Sequence, residues 1–108
     1  MKVVIKEPLE APRRADIENT LTALQETVGG NIEHIGFAFP DMPEGIGILV
    51  DEEGKFRNKL PNFFLPGDIV AGTAVFVGES GEEFTDLTEE QLSLIEAAFS
   101  EADPDAIC

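Results

Sequence analysis

The chain is poor in the side chains that carry most enzymatic chemistry. Its 108 residues include one cysteine, one histidine, and seven basic residues against 22 acidic ones. A lone Cys108 excludes an internal disulfide, and as the last residue it makes no prenylation box, where the cysteine sits fourth from the end. One cysteine and one histidine also exclude a zinc centre, which needs about four such ligands. No apolar run approaches the ~20 residues that span a bilayer. Val3-Val4-Ile5 falls well short of the roughly 7–15 apolar residues of a secretory signal. These absences lead to the expectation of a cytoplasmic protein without a cofactor.

Positive charge is missing unevenly. Every Lys and Arg lies at or before Lys59, and after it come Asp68 and ten more carboxylates. A formal net charge of −15 repels nucleic-acid phosphates and anionic membranes and attracts basic proteins. Direct nucleic-acid or membrane binding is therefore not expected, and a partner with a basic surface is. The competing explanation is that the acidic surface only keeps the protein soluble.

Hydrophobic residues make up 43% of the chain, with eight Phe, which is too apolar for a disordered segment. At this length folding buries roughly two-thirds of the unfolded surface, enough for one core. A single domain over residues 1–100 is expected, followed by an acidic, flexible tail over 101–108.

Val3-Val4-Ile5 reads as a first strand ended by Glu7-Pro8, and Arg13 to Ile17 as either a second strand paired with it or a plain loop. Asn19 is a good N-cap for a helix over about 20–28, whose Leu21, Leu24 and Val28 recur at helical spacing. Gly29-Gly30 then supplies a left-handed stop. Asn31 to Phe37 reads as strand by composition, and Ile46 to Val50 as another. Asp51-Glu52-Glu53-Gly54-Lys55 looks like the turn of a hairpin with Gly54 at positive φ, its return arm soon interrupted by Asn58, Pro61 and Asn62. The apolar run Ile69 to Val77 fits one long strand near the centre of the sheet, although periodicity alone admits a buried helix. Thr88-Glu89-Glu90-Gln91 is a capping box that opens a helix over about 89–100, with Leu87 stapled onto Leu92 and an apolar stripe of Leu92, Ile95 and Phe99. This order predicts an α+β domain, a mixed and largely antiparallel sheet packed by two helices.

Several of these stretches resemble a known family. Ile17 to Leu21 with Leu24-Gln25, Val28-Gly29-Gly30, Glu52 to Lys55, Leu60-Pro61-Asn62, Gly72-Thr73, Val77-Gly78 and Phe84 to Thr88 are similar to the bacterial domain-of-unknown-function family numbered 3846. The resemblance runs from Lys2 to about Phe99. It implies a small protein of phage, plasmid and conjugative elements, and it implies no activity. Asn31, Asp51 and Phe63 depart from the pattern, standing where an aromatic, an Asn and a basic residue are expected.

No arrangement of residues reads as catalytic. His34 has Glu33 as its sequence neighbour, but adjacent strand residues point to opposite faces. The glycine pairs lack the Lys-Ser/Thr ending of a phosphate loop, and Asp51-Glu52-Glu53-Gly54 and Glu79 to Glu83 lack the spacing of a calcium loop. Neither enzyme activity nor a metal is expected. Lys55, Arg57, Asn58, Lys59 and Asn62, with Thr73, form the one locally basic patch, readable as a grip on an anionic ligand or as a hairpin flank balancing nearby acids. Phe63-Phe64 reads equally as a partner anchor or as core.

Two functions follow. The first is an acidic interaction protein of a mobile element that binds and modulates a basic host protein by imitating a phosphate backbone, through Glu82, Glu83, Asp86, Glu89 and Glu90. The alternative is a binder that sequesters an anionic small molecule such as a nucleotide, through the patch around Lys55. Composition carries no information on oligomeric state.

Overall fold

A computed structural model describes residues 1–35, 45–54, 59–65 and 68–100. The elements in chain order are β1 (Lys2–Lys6), β2 (Arg13–Asp16), α1 (Leu21–Val28), β3 (Ile32–Ile35), β4 (Ile46–Asp51), β5 (Pro61–Leu65), β6 (Asp68–Ala71), β7 (Ala74–Ser80), β8 (Glu83–Thr85) and α2 (Glu89–Ser100). The main sheet runs β2-β1-β7-β4-β3, with β8 paired to the end of β7, and every pairing is antiparallel. A separate ladder joins β5 to β6. This is the α+β architecture the sequence predicts. Among the described residues no helix is long and apolar enough to cross a membrane.

The central strands are apolar at consecutive positions because both faces of the sheet are covered. Successive residues of a strand point to opposite sides. Val4, Ile46, Ile48, Val50, Ala74 and Phe76 therefore pack on one side with Leu92, Ile95 and Phe99 of α2 and with Phe63 and Val70 of the small ladder. Val3, Ile5, Leu49, Val75 and Val77 pack on the other with Leu24 and Val28 of α1 and with Phe84. Phe76 and Ile48 are fully buried at the centre, where replacing Phe76 by Ala carries a cost of about 3–5 kcal/mol.

Four expectations need correction. The cap of α1 is Thr20, whose side chain accepts from the Ala23 amide at 3.1 Å, while Asn19 donates to the Phe84 carbonyl at 3.0 Å. The run from Ile69 to Val77 is two strands. Gly72, at φ 83°, turns the chain out of β6 and into β7, so the first half pairs with β5 and the second enters the main sheet. The turn after β4 leads to no strand paired with β4 among the described residues, where its partners are β3, Ile32 to Ile35 against Asp51 to Ile48, and β7, Gly78 to Val75 against Ile46 to Leu49. Gly54 does not have a positive φ; its amide donates to the Asp51 carbonyl at 3.0 Å, and a Cβ on it would meet the Ala71 carbonyl oxygen at 2.6 Å. The short β8 has no counterpart in the sequence reading. Phe37, Lys55, Asn58 and the tail 101–108 lie outside the described residues.

The capping box of α2 forms as expected. The Gln91 amide donates to Thr88 Oγ1 at 3.1 Å, the Thr88 amide donates to Gln91 Oε1 at 2.9 Å, and Leu87 and Leu92 are buried in the same cluster. Thr88→Ala should lower unfolding stability by about 1 kcal/mol, measured by urea denaturation.

Candidate functional site

Two residues of the expected basic patch, Lys59 and Asn62, have partners within the fold. Leu49 and Asp51 lie on the α1 face of β4, and the apolar series ends in a carboxylate close to the C-terminus of α1. The side chain of Asp51 is fully buried, and its Oδ2 lies 2.6 Å from Lys59 Nζ. The same ammonium donates to the Val28 carbonyl at 3.0 Å and to the Gly29 carbonyl at 3.4 Å. A carboxylate facing the carbonyl end of a helix is unfavourable on its own, because the helix end carries partial negative charge. Lys59 sits between the two and neutralises both.

The surrounding backbone fits closely around this contact. Gly29, at φ 81°, closes α1 and leaves the ammonium room. A Cβ on Gly30 would stand 2.7 Å from Asp51 Oδ1, and one on Gly72 would stand 2.7 Å from Lys59 Cδ. Asp51 Oδ1 also accepts from the Glu53 amide at 2.9 Å.

Asn62 is committed in the same way. Its Nδ2 donates to the Lys6 carbonyl at 2.7 Å and to the Gly72 carbonyl at 2.8 Å, while its Oδ1 accepts from Lys6 Nζ at 2.9 Å. These bonds tie β1 to the small ladder. Lys6 is itself buried, donates to the Glu7 carbonyl at 2.7 Å and stands 5.6 Å over the Phe99 ring. Burial holds its pKa below the usual lysine range, against the opposing influence of Glu10. Thr73 is half-buried at the link between β6 and β7, and Lys55, Arg57 and Asn58 lie outside the described residues. The structure thus gathers Lys59 and Asn62 around internal partners.

Arg13 and Arg14 are also engaged. Arg13 pairs with Glu7. Arg14, on the α2 side of β2, reaches Glu89 at 2.6 Å and Glu96 at 2.8 Å. Hydrogen bonding to Arg14 holds the Glu96 carboxyl below the usual carboxylate range, and Glu96 and Glu89 together raise the guanidinium of Arg14.

Of the acidic residues expected to meet a partner, Glu82, Glu83, Asp86, Glu89 and Glu90 are all exposed, along the turn after β7, β8 and the start of α2. Asp86 also accepts from the Lys2 amide at 2.8 Å.

His34 finds its carboxylate on another strand. Its Nε2 lies 2.8 Å from Glu79 Oε1, over Gly47, where a Cβ would collide with the carboxylate, and its ring tilts against Phe84 at 5.5 Å. Glu79 escapes sequence reasoning because it stands 45 residues away from His34. Among the described residues no group of three or more His, Cys, Asp or Glu is placed to hold a metal ion.

The chain belongs to the family described as Domain of unknown function (DUF3846), whose model matches residues 1–100. No curated protein and no solved structure matches it.

Lys59→Met removes the ammonium 2.6 Å from the buried Asp51 carboxylate and should destabilise the fold by about 3–5 kcal/mol in urea unfolding. Adding Asp51→Asn, which removes that charge and keeps an acceptor for the Glu53 amide, should recover part of the loss. A separate check concerns Glu96. Because its folded pKa is depressed, the pair contributes stability above the unfolded carboxylate pKa and loses it as pH falls through the folded value. In Arg14→Ala, the carboxyl titration of Glu96 followed by NMR should move upward toward the ordinary range.

Proposed function

We propose that this member of a family without an assigned activity is an acidic interaction protein, carried by a mobile element, that binds and modulates a basic host protein in the cytoplasm. The observation that carries this reading is the asymmetric fate of the two charge signs. Lys6 and Lys59 are turned inward, and Arg13 and Arg14 are paired with glutamates of the same chain. Glu82, Glu83 and Glu90 remain exposed on one continuous stretch of chain, in a molecule of net charge −15. A surface of this kind presents carboxylates as a nucleic acid presents phosphates, and it attracts a basic partner over distances of about a Debye length, some 8–10 Å at physiological salt. The same observation weighs against the anion-sequestering alternative, since Lys59 and Asn62 have their donors committed inside the fold.

Affinity purification of the tagged protein from nuclease-treated host lysate should retain a basic protein in stoichiometric amount and release it at high salt. Replacing Glu82, Glu83 and Glu90 together by Lys should abolish that retention without changing the far-UV circular dichroism. Retention that is indifferent both to salt and to these substitutions contradicts the proposal.

A further inference from the structure

Leu9 and Phe64 are the most exposed large apolar side chains among the described residues, at 90% and 76%. Leu9 is also the only described non-glycine residue with a positive φ, 66°. It occupies the third position of the turn Glu7-Pro8-Leu9-Glu10, closed by the Glu10 amide donating to the Glu7 carbonyl at 3.2 Å. Glycine or asparagine takes that position at little cost, whereas a leucine there meets its own backbone. Both the strained backbone and the apolar side chain in water oppose folding of the isolated chain. A residue held in an unfavourable conformation and pointed at solvent is what a binding surface presents.

Phe64 is set by its neighbour. Phe63 packs into the core, 6.0 Å from the Phe76 ring and 5.2 Å from that of Phe99, so the next residue along β5 faces outward. The roots of the two exposed residues are joined. Asn62, two residues before Phe64, exchanges hydrogen bonds with Lys6, whose ammonium also holds the Glu7 carbonyl at the start of the Leu9 turn. The end of β1, from which the turn departs, is thereby tied to β5.

The charge of the molecule selects what covers them. A second copy would bring −15 against −15, and an anionic bilayer has the same sign. A basic protein is complementary, and Glu10 stands exposed beside Leu9 to meet its cations. We propose that Leu9 and Phe64 are the apolar anchors of the surface on which a basic protein partner docks. This inference rests on the function proposed above and adds the contact that makes binding more than electrostatic.

Two peptides of equal length and charge separate the ideas, one alternating lysine with serine and one alternating lysine with leucine. Calorimetry at low salt should show the wild-type protein binding the leucine peptide about tenfold or more tightly than the serine peptide, as burial of one leucine side chain supplies. In Leu9→Gly and in Phe64→Ser this excess should fall away while binding of the serine peptide is unchanged. Leu9→Gly should melt at a temperature no lower than wild type, because glycine accepts the left-handed backbone. Equal wild-type affinity for the two peptides, or an excess that survives both substitutions, overturns the anchor assignment. Failure of wild type to bind either peptide contradicts the basic-partner reading instead.

Discussion

The contact between Asp51 and Lys59 joins three parts of the chain: the end of a central strand, the C-terminus of a helix on one face of the sheet, and the segment that leads into the small ladder. A fully buried carboxylate is costly without a cation, and the carbonyl end of α1 adds to that cost. One ammonium answers both, at 2.6 Å from the carboxylate and 3.0 Å from the Val28 carbonyl. Once Lys59 is fixed there, Leu60 and Pro61 follow directly, and Asn62 falls within reach of Lys6 and Gly72. The small ladder is thus positioned by polar contacts at its root and by Phe63 and Val70 at its buried face.

This arrangement changes how the charge of the molecule is read. A basic cluster in an acidic sequence invites a ligand, yet here the cations serve the chain that carries them. Lys59 closes a helix, Lys6 anchors a turn, and Arg14 ties an edge strand to α2. Of the described cations, Lys6 and Lys59 are drawn inward and Arg13 and Arg14 are paired with glutamates. Carboxylates along the turn after β7 and the start of α2 remain exposed.

Much of the architecture was legible. Local chemistry marked the start of α2, since a capping box involves residues only three apart, and Gly29 marked the end of α1 for the same reason. Consecutive apolar residues in β4 and β7 announced strands buried on both faces. What escaped depended on distant partners. The break at Gly72 is invisible in a run of nine apolar or small residues, because it is decided by which strand each half pairs with. Two of the candidate site residues escaped for a related cause: Lys59 and Asn62 look available until Asp51, Lys6 and the carbonyls of Val28, Gly29 and Gly72 are brought to them. A carboxylate at the end of a fully apolar strand was the available sign that some cation had to be buried with it.

The ammonium of Lys59 provides the most direct measurement. A lysine-selective nitrogen–proton NMR experiment on the wild-type protein should show slowed solvent exchange for the Lys59 ammonium, distinguished from that of the buried Lys6 by coupling through space to the end of α1. Its chemical shift should stay fixed as nucleotides and polyphosphate are titrated in. A Lys59 signal that exchanges as fast as that of an exposed lysine, or that moves on addition of these anions, would show a group available to ligands and contradict the account.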